Sequence, residues 1–303
     1  MKHLSEETRA KLACAYSGLV WGLFWIPLRE LEKSGIPGLW ANLVFYLAPL
    51  VVVLPLLPFR LRQIANGGLD LQLKGVFTAL SLVAYSMAFL STEVVRAILL
   101  FYLTPVWSAL LARLILGEPI TRIRWLSMAL GFGGMLVILN EGSGGFPLPA
   151  NIGDWLAVLS GIGWAFAAVS LRLGKTHDPL ELCSLNFIWS AIFSIAFVTV
   201  FNTGSGPMPS LPTILATLPW LLPTMLVIVV SGVYATMWGA PKLNPAVVGL
   251  LFMTEISVGA VTAAIWAGEP FGFREIVGVV LISAAGVTES IWDLWLKSRL
   301  KRA

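Results

Sequence analysis

Residues 112–122 read ARLILGEPITR, and residues 265–274 read IWAGEPFGFR. The tripeptide Gly-Glu-Pro occurs at these two places only, 151 residues apart, each time after an apolar stretch. Other landmarks return with it. Ser17-Gly18-Leu19-Val20-Trp21, with Leu28-Arg29 downstream, comes back as Ser160-Gly161-Ile162-Gly163-Trp164 with Leu171-Arg172, at a constant offset of 143. Tyr85, with Met87 and Phe89, is echoed by Tyr234, with Met237 and Trp238. A chain of 303 residues says one thing twice, which predicts two halves, 1–145 and 146–303.

The composition fixes the solvent of those halves. Hydrophobic residues make up 57% and charged residues 12%, where a soluble domain has about half and about a quarter. Sixty residues from Leu182 to Pro241 and twenty-two from Gly38 to Phe59 pass without an Asp, Glu, Lys or Arg. A helix crosses the hydrocarbon of a bilayer with about 20 apolar residues, and in lipid each backbone amide must be satisfied within its own segment. Long apolar runs therefore predict an all-α integral membrane protein rather than a sheet.

Cutting at charges, Pro/Gly clusters and turn residues gives ten segments: 11–31, 38–58, 73–92, 96–116, 123–140, 154–173, 180–202, 213–239, 244–267 and 274–296. The N-terminal apolar stretch is longer than the core of a secretory signal and reads as an uncleaved first span. With the N-terminus inside, sixteen of the twenty Lys and Arg fall at cytoplasmic ends and loops, as the positive-inside bias requires. The expectation is a multi-pass protein of the inner cell membrane with both termini cytoplasmic. The net charge of +4 is scattered at the ends of apolar runs, so it signals topology and not a nucleic-acid partner.

Five spans per half is an odd number, so the second copy inserts upside down relative to the first. Such inverted-topology repeats in secondary transporters meet about a pseudo-two-fold axis in the membrane plane, with the substrate site where they meet. One Gly-Glu-Pro then faces the cytoplasm and the other faces out.

The aromatic- and Gly-rich first helices, the proline in LTPVWSALLARLILGEP (103–119) and the Gly-Glu-Pro that ends it resemble the EamA family of the drug/metabolite transporter superfamily. Within that superfamily the chain looks most like the YddG-type exporters of aromatic amino acids. The resemblance implies a ten-helix fold of two five-helix inverted repeats and outward transport; relatives carry sugars, nucleotide sugars, drugs and amino acids. The second half departs from the pattern, with Thr254-Glu255-Ile256 near the place of Thr104-Pro105.

Enzyme chemistry finds no footing. Gly174-Lys175-Thr176 resembles the end of a phosphate loop but has Val169 where that loop needs glycine. His3 and His177 are the only histidines and are far apart, and Cys14 and Cys183 have no partner at ligand spacing. No metal, cofactor or catalytic residue is expected.

The candidate binding residues are in-span aromatics and polar groups. Gly18, Trp21, Gly22 and Trp25 share one face of the first helix. The glycines suit close helix packing, while Trp21, Trp25 and the echo Trp164 sit too deep for an interfacial belt and suit a pocket wall. Tyr46, Tyr85, Tyr102 and Tyr234 lie within spans, each needing a partner for its hydroxyl. Trp238 belongs to the same third-helix landmark. Aromatic faces hold an ammonium by about 0.5–2 kcal/mol, which suits an amino acid. Asn186, like Asn42 and Asn244, either bonds a substrate or ties helices together. Glu255 stands near the middle of the ninth span, where an acid is costly without a cavity or partner; it takes a substrate ammonium, a coupling proton, or its own proton bonded to a carbonyl. Glu118 and Glu269 are at helix ends and read as gate or hinge residues, and Pro105 as a moving kink.

These residues predict a secondary transporter that exports small amphipathic metabolites, amino acids including aromatic ones foremost, by alternating access. Export of cationic aromatic drugs is the alternative, and a non-transporting scaffold a third. The partners are a small molecule and the bilayer, and five helices per half suffice to enclose a site in a monomer.

Overall fold

The computed structural model describes residues 5–115, 117, 121–140, 149–173, 175–201, 206–243, 245–269 and 271–300. Its first half comprises α1 (Glu6–Gly22), α2 (Trp25–Lys33), α3 (Gly38–Val53), α4 (Leu57–Asn66), α5 (Gly68–Ser91), α6 (Val94–Phe101), α7 (Thr104–Ile115) and α8 (Arg122–Leu139). The second comprises α9 (Ile152–Arg172), α10 (Pro179–Phe201), α11 (Leu211–Thr224), α12 (Ser231–Gly239), α13 (Pro245–Phe252), α14 (Thr254–Thr262) and α15 (Phe273–Leu300). Side-chain caps start several of them. Ser5 accepts from the Thr8 amide, Asn151 from Asp154 and Ser210 from Thr213, each satisfying an amide that the first turn leaves free.

Among the described residues, runs of helix join these pieces into seven apolar helices long enough to cross a membrane, among them Glu6–Lys33, Gly38–Asn66 and Leu211–Lys242. Trp125–Leu139 and Thr254–Ala267 are shorter apolar helices, and with α15 they bring the number of helical segments among the described residues to about ten. Large side chains stand exposed along them: Phe59 is 79% exposed, Ile265 68% and Phe273 83%. Water does not favour that surface, and lipid does.

Several predicted spans are interrupted. The first turns between Gly22 and Trp25, and the fourth breaks at Tyr102-Leu103. Pro105, read as a mid-span kink, falls in the first turn of α7, where its missing amide costs no hydrogen bond. The ninth breaks at Met253 without any proline. Wide π-turns run through Met225–Val230, just after Pro219 and Pro223, and through Ala263–Ala267.

The halves interlock by exchange. α1 packs on α12, α13 and α14 of the second half, and α9 packs on α5, α6 and α7 of the first. α3 packs on α10, and α8 on α15. The glycine that opens each Gly-Glu-Pro has the same left-handed backbone, φ 69° at Gly117 and 64° at Gly268, a conformation that favours glycine. Cys14 and Cys183 are buried free thiols on α1 and α10.

Candidate functional site

The broken fourth span of each half lies against the first helix of the other. α6 ends at Phe101 and α13 at Phe252, keeping the 151-residue spacing of the two Gly-Glu-Pro motifs. A Cβ on Gly18 would collide with Thr254 Oγ1 and come within 2.7 Å of the Leu251 carbonyl oxygen. A Cβ on Gly161 would come within 2.8 Å of the Phe101 carbonyl oxygen and 3.3 Å of Thr104 Oγ1. Only glycine lets the helix approach the break so closely. Discontinuous helices at a repeat interface expose backbone groups near the membrane midplane, where transporters of this build bind their cargo.

Glu255 occupies the first turn of α14, immediately past the second break, and is 4% exposed. The Tyr85 hydroxyl, from α5, donates to Oε1 at 2.7 Å. The Tyr102 hydroxyl, from the first break, lies 2.9 Å from Oε2 and 2.7 Å from the Phe252 carbonyl oxygen. One carboxylate thus ties both breaks to the third span of the first half. Among the described residues it forms no ion pair.

Aromatic rings surround this group. Tyr85 packs against Phe89 and Phe101 at 4.4 and 4.5 Å between centroids, and stacks on Phe24 at 6.2 Å. Phe24 in turn meets Trp21 at 5.3 Å and Phe45 at 4.9 Å. The buried indoles are satisfied across the halves: Trp21 Nε1 donates to Thr236 Oγ1 and Trp25 Nε1 to Thr262 Oγ1, each at 3.2 Å. An acid within aromatic walls offers an ammonium both an ion pair and ring faces.

Of the residues singled out from sequence, Tyr85, Tyr102 and Glu255 meet here, with Trp21 joined through Phe24, while Trp25 bonds Thr262, about two turns farther along α14. The others stand elsewhere. Tyr46 is fully buried between α3 and α5, its hydroxyl donating to the Leu82 carbonyl at 2.6 Å, one turn from an Asn42–Ser194 bond. Asn186 is buried on α10 with neither amide atom hydrogen-bonded. Trp164 is half-buried on α9. Tyr234 lines an apolar cavity of about 210 Å³ with Val53, Leu180, Cys183, Leu226 and Val230. Trp238 lies beneath the Lys242 ammonium, 4.8 Å from its ring centroid. Glu118 and Asn244 lie outside the described residues.

Glu269 lies just after the second apolar π-turn, beside the start of α6. Its carboxylate accepts from the Val94 and Val95 amides at 2.8 and 3.2 Å, capping α6 from the other half. Burial raises its pKa, opposed by those two amides and by nearby Arg29. Beside it Arg29 donates to the Thr92 carbonyl at 2.9 Å. Arg96 grips Asp154 through Nε and Nη2, at 2.7 and 2.6 Å, with both residues buried.

Sequence reading did not count Phe24, Phe89 and Phe101 among the binding residues, naming Phe89 as a repeat landmark alone, although Phe24 and Phe89 fall three and four residues from Trp21 and Tyr85, on the same helical faces. It also passed over Arg96–Asp154, whose one signal is that Arg96 belongs to the end of the protein poor in basic residues. Thr236 and Thr262 carried no signal beyond being polar within apolar runs.

Known proteins agree with this architecture. A Bacillus subtilis protein described as uncharacterized transporter YvbV is 25% identical over 292 residues, 93% of this chain and 91% of its own. A second from the same organism, uncharacterized transporter YyaM, is 23% identical over 76% of this chain and 75% of its own. One crystal structure superposes with a TM-score of 0.60 over 93% of this chain and 98% of its own, at 14% identity, which speaks to fold alone. The model of the EamA-like transporter family matches twice, over residues 8–140 and 151–288. The duplicated chain therefore belongs to the EamA-like transporter family, and it is a membrane transporter rather than an enzyme.

Proposed function

We propose that this protein is a secondary transporter exporting small amphipathic metabolites, amino acids including aromatic ones foremost, by alternating access. In this reading two five-helix halves, 1–145 and 146–303, insert in opposite senses, and both termini are cytoplasmic. The observation that carries it is Glu255, buried where the two broken spans meet and bonded to Tyr85 and Tyr102, whose rings Phe101 packs against. The acid takes the substrate's ammonium and the ring cluster takes its apolar side chain. Resemblance to the YddG-type exporters supports aromatic cargo and outward direction.

A second reading, export of cationic aromatic drugs, is favoured by the same acid. The Glu255 carboxylate forms no ion pair among the described residues, and its side-chain bonds are to tyrosine hydroxyls. Such a cargo needs the acid and is indifferent to a carboxylate on the substrate. Counterflow of radiolabelled phenylalanine into liposomes holding the purified protein separates the two, with unlabelled amino acids and cationic dyes as competitors. Inhibition by amino acids and loss of flux in Glu255→Gln support the first reading. Inhibition by dyes alone moves the assignment to the second. No flux of either class overturns both.

A further inference from the structure

The long apolar runs Gly38–Asn66 and Leu211–Lys242 start side by side and then part. A Cβ on Gly35, just before the first run, would lie 3.9 Å from Thr213 at the start of the second. Further along, Val53 and Leu56 of the first and Leu226, Val230 and Tyr234 of the second line the apolar cavity of about 210 Å³, with Cys183 of α10 as its floor. Leu56, Leu226 and Tyr234 are exposed at its mouth, whereas Cys183 is buried. The π-turn Met225–Val230 forms part of this wall, and its polar groups are spent elsewhere. The Val227 carbonyl accepts from the Tyr16 hydroxyl of α1 at 2.5 Å and from Ser231, whose hydroxyl would otherwise face the cavity. A slot so lined does not suit water, which needs several polar partners, and it opens on the surface that lipid covers.

One end of the slot has a charged rim. At about 1.5 Å per residue, Val53 lies about 22 Å from Gly38 and Arg60 about 33 Å, so the arginine falls just past a hydrocarbon layer of about 30 Å. Arg60 follows Leu56 by about one turn. Among the described residues it donates through Nη1 alone, to Asp178 at 3.1 Å, which leaves its other N–H groups for a further acceptor. On the opposite wall Trp238 follows Tyr234 by about one turn, and the Lys242 ammonium folds back over the Trp238 ring. The nearest acid to that ammonium, Glu6, stands 3.9 Å away, beyond hydrogen-bonding distance. Arg60 and Lys242 are 31% and 33% exposed, so each is held against the protein and still within reach of an anion. Tyrosine and tryptophan beside basic groups mark the headgroup level of a bilayer.

We propose that one bilayer phospholipid binds here as a specific ligand, with an acyl chain in the slot and its phosphate on Arg60 and Lys242. Basic sites between spans take lipid headgroups in this manner. The walls belong to both halves: Val53 and Leu56 come from the first, and Cys183, Leu226 and Val230 from the second. The bound chain therefore fills a gap between the halves and resists closure of Leu211–Lys242 onto α3. The site stands whatever the protein carries.

Photo-crosslinking of the full chain in lipid nanodiscs tests it, with a trace phospholipid that bears a diazirine in one acyl chain as the probe. A diacylglycerol with the same chain is the comparison, and labelled peptides are identified by mass spectrometry. The phospholipid is expected to label the Cys183 peptide about tenfold more than the diacylglycerol does, through its two basic contacts. In the double variant Arg60→Gln, Lys242→Gln that excess is expected to vanish, while labelling at lipid-facing Ile265 stays unchanged. Val230→Trp, which fills the slot, is expected to abolish labelling at Cys183 by both probes; where that variant does not fold, the charge variant carries the test. Equal labelling by both probes in the native protein, an unchanged excess in the charge variant, or no labelling at Cys183 overturns the proposal.

Discussion

α1 and α9 both press a glycine into the broken fourth span of the opposite half, yet they are fastened differently. At the start of α9, Asp154 is fully buried, gripped by Arg96, and bonded to Thr92 and to the Ala150 amide. The residue 143 positions earlier is Lys11, whose ion pair with Glu7 is about half exposed. The breaks they lie against differ too: the acid Glu255 follows the second, while Thr104 opens the helix after the first. Duplication supplied one backbone plan twice. The chemistry was then placed on single copies, which gives the bundle one firmly fastened end and one central acid.

Breaking the fastening on α9 is expected to have the largest effect. Asp154→Asn leaves the Arg96 guanidinium buried without its counter-charge, a loss of about 3–5 kcal/mol. Thermal unfolding of the purified protein in detergent should show it as a large fall in midpoint. A change no bigger than that of a surface mutation would mean the pair does not fasten this end.

The glycines come next. Gly18→Ala forces a methyl against the Thr254 hydroxyl and a fixed carbonyl, whereas Gly161→Ala meets its nearest carbonyl 2.8 Å away. Overpacking of this kind costs about 1–3 kcal/mol. Gly18→Ala is expected to unfold at the lower temperature of the two; the reverse order would show that the first break is the more rigid.

Glu269→Gln weakens the cap on α6, an effect of about 0.5–2 kcal/mol for capping groups generally. It also changes a pH dependence. Burial holds the Glu269 pKa above its unfolded value, so its contribution favours the folded state below the unfolded pKa and declines as pH rises to the folded one. Midpoints measured across that acid range should fall less steeply with pH in Glu269→Gln than in the native protein, and parallel curves would exclude the assignment.

Lys11→Met is expected to do least, within about 0.5 kcal/mol, because an exposed i, i+4 pair gains little in water. A loss as large as that of Asp154→Asn would erase the contrast between the two helices.

Much of this was legible in the sequence because lipid imposes simple rules. Apolar length gave the segments, and the Gly-Glu-Pro and Ser-Gly landmarks gave the duplication that the family model matches. Glu255 was legible for the same reason: an acid amid apolar residues has to be satisfied somehow. Its partners were harder to read. Tyr85 and Tyr102 could be listed beside Tyr46, which has the same type and depth, but nothing local says that Tyr46 bonds a backbone carbonyl while the others reach an acid more than 150 residues away. The break at Met253 carries no proline and arises where α1 packs through Gly18. Pro105 marked its own break but sits just past it, in the first turn of α7, where a missing amide costs no hydrogen bond.

The two cysteines have a use of their own. Cys14 is fully buried and Cys183 is 2% exposed, so a bulky membrane-impermeant maleimide should leave both untouched in the folded protein. The native chain then serves as its own silent background for single-cysteine reporters. One placed at exposed Glu7 and another at exposed Ile152 would reveal which side of the membrane each end faces. The same reporters, given spectroscopic tags, would show whether either end opens, without any prior engineering to remove thiols.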